Sequence, residues 1–564
     1  MRNTAFSPTP AASLPRRWRI AALLIALALG AWCYAPGLRA FFAQDDFAFL
    51  ALVRLLHQPW LLFVHNHFPD YAYFRPLGVL LWWLVADAAG DVAWPQYVLN
   101  LTLHLGCIAA LYALLQRLRR DAPLNALWAA VYAVHPLAIG TALWLSDRFD
   151  LLATLFSLLA VAAALAHAER PRAAALFGML GALLSALLSK ELGIVGAAAA
   201  FAAIALAPRA RLDARQRVLA LVAITTLTLA WLAYRRAMLS VPNGDGAMHL
   251  PALAAFASGF CNWLRAGAVY LFADPRAPRW AIVCIAFATA AWLAAALLAR
   301  RSAANSRPRL HVTAALLALI LLPGLVQAPV AAKHLAAGIG SDLFFFNLIV
   351  PSRFFHLGLA GLICGLALIT TSPRVTVRSS TLRLSTAGIL LALVGLVPVS
   401  QRIARDYADG TNKQAAAFVA AETALAQATL PQHGCQVYFL QTSTLWGFAG
   451  LSDSIAKGLS AQPERLAHCL ISTEQPAWTY FVRKDSVQPD DYRPLHPLEV
   501  AGKPFPVLEI GDTQALYFSM GEDLRSAPPA SAIFLEYRDG AFVDVSTAVR
   551  NGELKPKFAT SNQN

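Results

Sequence analysis

The sequence predicts a polytopic α-helical membrane protein with a small α/β domain at its C-terminal end. Three observations predict it. Hydrophobic residues make up 58 % of the 564 and charged residues only 14 %, against about 25 % charged in a soluble domain; the mean hydropathy is +0.53. Arg and Lys gather in short loops between apolar segments. From Gln401 onward polar residues return and apolar ones begin to alternate. The formal charge of +14 would suit a nucleic acid if the basic residues formed a face interleaved with aromatics. They form no such face, so no nucleic-acid partner is expected, and orientation in a bilayer accounts for the charge.

The basic loops thread the chain. Arg16/Arg17/Arg19, Arg117/Arg119/Arg120, Arg170/Arg172, Arg209/Arg211/Arg215/Arg217, Arg300/Arg301/Arg307/Arg309 and Arg374/Arg378/Arg383 are assigned to the cytoplasm by the positive-inside rule. Eleven spans follow, at about 18–38, 95–116, 123–143, 149–168, 173–189, 191–207, 217–238, 280–299, 310–328, 345–371 and 384–400. The first follows a basic stretch and resembles a signal peptide, but no clear small-x-small cleavage site comes after it, so it is read as uncleaved. The apolar run 173–207 would reach roughly 52 Å as one helix, against a hydrocarbon core of about 30 Å. The chain must therefore turn at Ser189-Lys190-Glu191. Two stretches, Pro76–Ala89 and about 256–272, are read as interfacial helices on the outer face. The division is a cytoplasmic tail at 1–17, a transmembrane domain at 18–400 with its first outer loop at 39–94, and an extracytoplasmic domain at 401–564. The expected location is a bacterial inner membrane, with the N-terminus cytoplasmic and the C-terminal domain periplasmic.

In that last domain 405–429 reads as an amphipathic helix, and 436–440, 506–510 and 515–520 as strands. Segments 533–537 and 541–545 flank Asp539-Gly540, a hairpin signal. Cys435 and Cys469 stand apart from the five cysteines in or beside apolar segments. Outside the cytoplasm they could be bridged; two unpaired core thiols are the alternative.

With this threading, ionisable residues collect near the outer surface: Asp45-Asp46, His65, His67, Asp70, Arg75, His135, Asp147, Arg148, Asp150, Lys190/Glu191, Arg235/Arg236, Lys333/His334, Asp342 and Arg353. A carboxylate can take the proton from an attacking hydroxyl while a neighbour positions the acceptor or a cation. Arg and Lys facing the same place suit a phosphate whose charge grows as it leaves. Each residue also has a plainer reading. The acids could be solvated loop residues, Arg75 and Arg353 interface anchors, His135 a helix-end residue, and Lys190 and Glu191 partners of each other. Their convergence on one face carries the argument.

Asp45-Asp46, Phe74-Arg75-Pro76-Leu77, His135-Pro136, Arg148-Phe149-Asp150-Leu151-Leu152-Ala153 and Ser189-Lys190-Glu191-Leu192-Gly193 occur in this order. The set resembles the GT-C superfamily of polyprenyl-phosphate-dependent glycosyltransferases, and within it the membrane part of the TMTC-type O-mannosyltransferases and their bacterial relatives. Pro351-Ser352-Arg353-Phe354-Phe355 is similar to an aromatic-Pro-Ser segment of the bacterial proteins. The resemblance covers roughly 40–200 and, more faintly, 340–360. It implies a GT-C-like fold and an inverting transfer of sugar from a polyprenyl-phosphate donor to an acceptor hydroxyl at the outer leaflet; whether the acceptor is a protein, lipid or glycan is left open. Carried over, Asp45 or Asp46 is the base, Arg75, Arg148, Lys190 and Arg353 contact donor phosphate, and His135, Asp150 and Glu191 support them. No cofactor is required by any motif, although the acid pair could hold a divalent cation such as Mg or Mn. Three departures stand out: Gly140 where relatives carry an acidic residue five positions after the His-Pro histidine, Leu137-Ala138 where they often carry polar residues, and no 34-residue repeat in 401–564, so that a protein acceptor does not follow from the resemblance. A transporter or lipid flippase is the main rival, without the half-repeat such proteins show. A lipid-linked glycan ligase or polymerase is the second, without a large late outer loop.

Overall fold

The computed structural model describes residues 15–43, 45–56, 58–64, 74–90, 92–118, 122–239, 253–272, 278–302, 310–338, 349–370, 379–432, 435–441, 463–466, 468–473, 477–483, 495–497, 499–500, 503–504, 506–510, 513–520 and 531–555. His65, His67, Asp70 and Asp342 lie outside them, and the side chains of Lys333 and His334 are likewise not described.

The helices are α1 (Arg16–Tyr34), α2 (Asp46–Leu55), α3 (Pro76–Ala89), α4 (Ala93–Leu118), α5 (Ala122–Ala133), α6 (Pro136–Leu143), α7 (Arg148–Glu169), α8 (Ala173–Ser189), α9 (Gly193–Ala205), α10 (Ala214–Met238), α11 (Leu253–Phe272), α12 (Arg279–Ser302), α13 (Leu310–Gly338), α14 (Val350–Ser352), α15 (His356–Ile369) and α16 (Ser379–Gln427). Among the described residues seven helices are long and apolar enough to cross a membrane, and α5 with α6 makes an eighth if the bent pair is one span. The shorter apolar helices α8, α9 and α15 complete the eleven predicted segments, and α3 is the 14-residue helix expected at Pro76. Helix α7 packs against α4, α8 and α9 at the centre of the bundle, α11 lies along α13, and α12 along α16.

Three segments depart from the reading. The stretch 123–143 is not one straight span: α5 and α6 meet at a 55° bend. Pro136 has no N–H to give α5 and disfavours helical backbone at the residue before it. His135 is accordingly extended (φ −70°, ψ 134°), and its Nδ1 accepts from the Leu137 N–H at 3.2 Å, capping α6. The stretch 345–371 is likewise interrupted, with Arg353-Phe354-Phe355 breaking α14 from α15. Finally, no break falls at residue 401. The last span and the helix expected at 405–429 form one helix of 49 residues, running through Pro398.

Beyond α16 the chain forms the strands β1 (Gln436–Leu440), β2 (Leu470–Thr473), β3 (Ala477–Arg483), β4 (Leu495–Pro497), β5 (Glu499–Val500), β6 (Lys503–Pro504), β7 (Pro506–Ile510), β8 (Thr513–Met520), β9 (Ile533–Arg538) and β10 (Ala541–Asp544). One sheet has the order β10-β9-β1-β2, with β1 parallel to both neighbours. A strand paired in parallel on both sides is buried on both faces, and all five β1 residues are buried. Antiparallel β9 and β10 are joined at Asp539 (φ 49°) and Gly540 (φ 88°), two left-handed positions that suit Asp-Gly. A second sheet orders β3-β8-β4, with β7 also on β8. Cys435 and Cys469 are disulfide-bonded, tying the starts of β1 and β2.

Candidate active site

The candidate residues sit at breaks between helices, where side chains from distant segments can meet. Asp45 and Asp46 open α2, Arg75 precedes α3, Asp147 to Asp150 open α7, Lys190 and Glu191 fill the turn between α8 and α9, Arg235 is in the last turn of α10, and Arg353 lies between α14 and α15. A chain of ion pairs joins most of them. Arg353 Nη1 is 3.7 Å from Asp147 Oδ1, and Lys190 Nζ donates to Asp150 Oδ2. Glu191 takes two guanidinium groups, Arg75 Nη2 at 2.8 Å and Arg235 Nη2 at 3.4 Å. The charges of Arg75, Arg353, Asp147 and Asp150 all act on Lys190.

The two acids differ. Asp46 is wholly buried. Its Oδ1 accepts from the Ser146 N–H at 2.9 Å and the Ser146 hydroxyl at 2.6 Å, and its Oδ2 from the Ala43 N–H at 2.9 Å. Burial pushes its carboxyl up to about 7, against the pull of those hydrogen bonds. Asp45 is exposed. Even so, surrounding protein raises its carboxyl above the usual range while the Arg353 charge pulls it down. Asp45 thus combines exposure with the pull of a nearby cation.

Among the cations, Arg75, Lys190 and Arg353 keep 13–20 % of their side chains exposed. Burial pushes the Lys190 ammonium down, with Asp150 opposing. Burial also disfavours ionised Glu191, but Arg75 and Arg235 outweigh it and hold its carboxyl below the usual value. Arg353 lies 5.3 Å from the Trp144 ring centroid and Arg75 5.6 Å from that of Phe149, so both guanidinium planes are held by aromatic faces.

Arg148 has a different place. It is fully buried, its Nε donates to Asn100 Oδ1 at 2.8 Å, its Nη2 to the Gln96 carbonyl at 3.2 Å, and it lies 4.7 Å from the Trp82 ring centroid. A cation enclosed this way braces the helix junction beneath the acids, and its Nη1 has no hydrogen-bond partner among the described residues. His135 is buried and serves as the cap of α6. Asp147 and Asp150 are each 1 % exposed, and Asp147 Oδ2 and Asp150 Oδ1 have no hydrogen-bond partner among the described residues. Buried oxygens left open in this way are where a ligand or an ordered water is expected.

Two glycines explain motif positions. A Cβ at Gly193 would sit 2.6 Å from the Ala186 carbonyl carbon, so the Ser-Lys-Glu-x-Gly turn closes only with glycine. A Cβ at Gly140 would meet Ser352 Oγ at 2.8 Å. The absence of a side chain at Gly140 thus gives room to the segment that carries Arg353.

The residues missed by sequence reasoning are those that brace the site: Ser146, Asn100 and Gln96. Asn100, a polar side chain inside an apolar span, was the available signal. At the acid pair Asp46 already accepts three hydrogen bonds, and Asp45 is the exposed member. Among the described residues the cluster with metal-ligand spacing is Cys435, His468 and Cys469, whose two sulfurs are bonded to each other.

No protein-family model matches the chain, and no curated protein does either. Among solved structures it is similar to the crystal structure of ArnT from Cupriavidus metallidurans bound to undecaprenyl phosphate. The two share 14 % identity at a TM-score of 0.32, over 89 % of this chain and 98 % of that one. A match that loose carries no weight for the chemistry.

Proposed function

We propose that the protein is a GT-C-like, inverting glycosyltransferase that moves a sugar from a polyprenyl-phosphate donor to an acceptor hydroxyl at the outer face of the membrane. The observation behind this reading is the convergence of Asp45, Arg75, Asp147, Lys190 and Arg353, from five separate breaks in the helices, into one linked set of charges. Asp45 is the base, being the exposed acid of the pair. It takes the proton from the acceptor hydroxyl as that oxygen attacks the anomeric carbon from the face opposite the departing phosphate. Arg75, Lys190 and Arg353 stabilise the charge that grows on the phosphate. Asp147 Oδ2 and Asp150 Oδ1 are available to accept from sugar hydroxyls. Asp46 holds Asp45 in place by tying the start of α2 to the turn before α7.

The test uses purified protein in nanodiscs with a panel of undecaprenyl-phosphate hexoses, reading release of undecaprenyl phosphate. Asp45→Asn is expected to lower kcat by about 10²–10⁴-fold while melting like the parent. The acid limb of kcat/KM should lie above the ordinary aspartate range, because the base works only when deprotonated and its carboxyl is raised. A fully active Asp45→Asn protein would remove the base assignment. Uptake of the intact donor into proteoliposomes without cleavage would favour a transporter.

A further inference from the structure

The post-membrane half of α16 runs directly over the segment that leads into the acid pair. Thr411 Oγ1 accepts from the Phe41 N–H at 3.0 Å, and Asn412 Nδ2 donates to the Arg39 carbonyl at 3.0 Å. The Phe418 ring lies 4.8 Å from that of Phe47 and 5.7 Å from that of Phe41, which in turn pack with Phe42. The Phe41 carbonyl accepts from Tyr97 OH at 2.7 Å, and the Tyr97 and Tyr407 hydroxyls are 3.5 Å apart. Backbone groups on both sides of residue 40 are thus satisfied by side chains from the far end of the chain. Further along, α16 packs against β10. Arg465, in the short helix Pro463–Leu466, closes its end by donating to the Ala426 and Ala428 carbonyls at 2.8 Å each.

We infer that Thr411, Asn412 and Phe418 are positioning residues for Asp45 and Asp46, so that the C-terminal domain, through α16, sets the placement of the catalytic acids rather than being an appended module. A loop of Arg39 to Asp45 with free backbone groups would sample many conformations, each fixed residue costing about 1–2 kcal/mol of backbone entropy. The α16 contacts supply fixed partners for it instead. Phe418 and Phe47 also cover the first turn of α2, keeping water from Asp46.

Two readouts test this, and the first needs no activity. The infrared carboxyl band of Asp46, identified by its loss in Asp46→Asn, is titrated in the full-length protein in nanodiscs. The groups facing it are Asp45, Arg148, Ser146, Tyr34, Tyr97 and Tyr407, none of which is altered in the variants. Phe418→Ala and Thr411→Val should move the midpoint down by about one pH unit or more, whereas Phe418→Leu, which keeps the apolar cover, should stay near wild type. Asn412→Ala, a milder change at an exposed residue, should give a smaller shift in the same direction and stands in should the larger variants fail to fold.

The second readout rests on the proposed function: with undecaprenyl-phosphate hexoses, kcat should drop about tenfold or more in Phe418→Ala with KM within about twofold. Folded Phe418→Ala and Thr411→Val proteins that keep the wild-type midpoint overturn the inference, as does a shifted midpoint with unchanged kcat in Phe418→Ala. If Asp45→Asn retains full activity, the functional reading fails instead, and the infrared titration still decides whether α16 places the acids.

Discussion

Asp45 and Asp46 are chemically identical neighbours given opposite roles by one turn of backbone. Asp46 faces inward, where three donors meet its two oxygens; Asp45 is exposed and within reach of the Arg353 charge. The buried acid has a consequence for stability. Its carboxyl is raised from 3.8 to about 7 on folding, so the folded protein holds that proton more tightly than the unfolded chain. The contribution to stability is fully present below about 3.8 and is lost as pH rises through about 7. Melting temperatures of the wild type should therefore fall across that window relative to Asp46→Asn, in which the titrating group is gone. Parallel curves for the two proteins would mean that Asp46 does not titrate in this surrounding. The residue types at this scale were legible in the sequence, but which acid is open was not. Nor was the fate of Arg148, whose motif position gives no hint that Asn100, Gln96 and Trp82 enclose it.

At the scale of elements, the candidate site residues fall where helices are interrupted. Pro136 breaks α5 from α6, the turn at Lys190-Glu191 separates α8 from α9, and Arg353 lies in the gap between α14 and α15. Apolar length predicted the second break, because 35 residues cannot be fitted straight into the bilayer. The first and third were passed over as continuous spans, since hydropathy averages over a single proline or a three-residue gap. The Lys190 turn depends on close backbone contact. Gly193→Ala would drive a methyl group into the Ala186 carbonyl, and overpacking of this kind costs about 1–3 kcal/mol. A lower melting temperature for Gly193→Ala in detergent is the expected result; an unchanged one would show that α8 and α9 can part without penalty. In the C-terminal domain the opposite held. Strand alternation and Asp539-Gly540 marked β1, β7, β8 and the β9–β10 hairpin correctly, because local backbone chemistry decides them.

For the whole molecule, the length of α16 decides the organisation. It carries the chain from the bundle past the acid pair and into the sheet domain without a break, so Asp45 and the C-terminal domain lie on one side of the bundle. The disulfide offers a check on which side of the membrane that is. Cys435–Cys469 persists only in an oxidising compartment, and a periplasmic domain should hold it. Maleimide labelling of the denatured protein from cells should leave Cys435 and Cys469 unmodified until reductant is added. Replacing both cysteines by Ser should cost about 2–5 kcal/mol, read as a lower melting temperature. Immediate labelling of both would place the domain in the cytoplasm and reverse the threading.

The sequence by itself determined the membrane class, nearly every span, the strand hairpin and the order of the charged motifs. Composition, basic loops and turn chemistry are local properties that a linear reading registers. Only the tertiary structure decided which acid is exposed, which arginine is enclosed, what Gly140 makes room for, and that a helix near residue 411 braces a loop near residue 41. Those outcomes depend on contacts between segments hundreds of residues apart, where burial and hydrogen-bond partners, not residue type, set what a side chain can do.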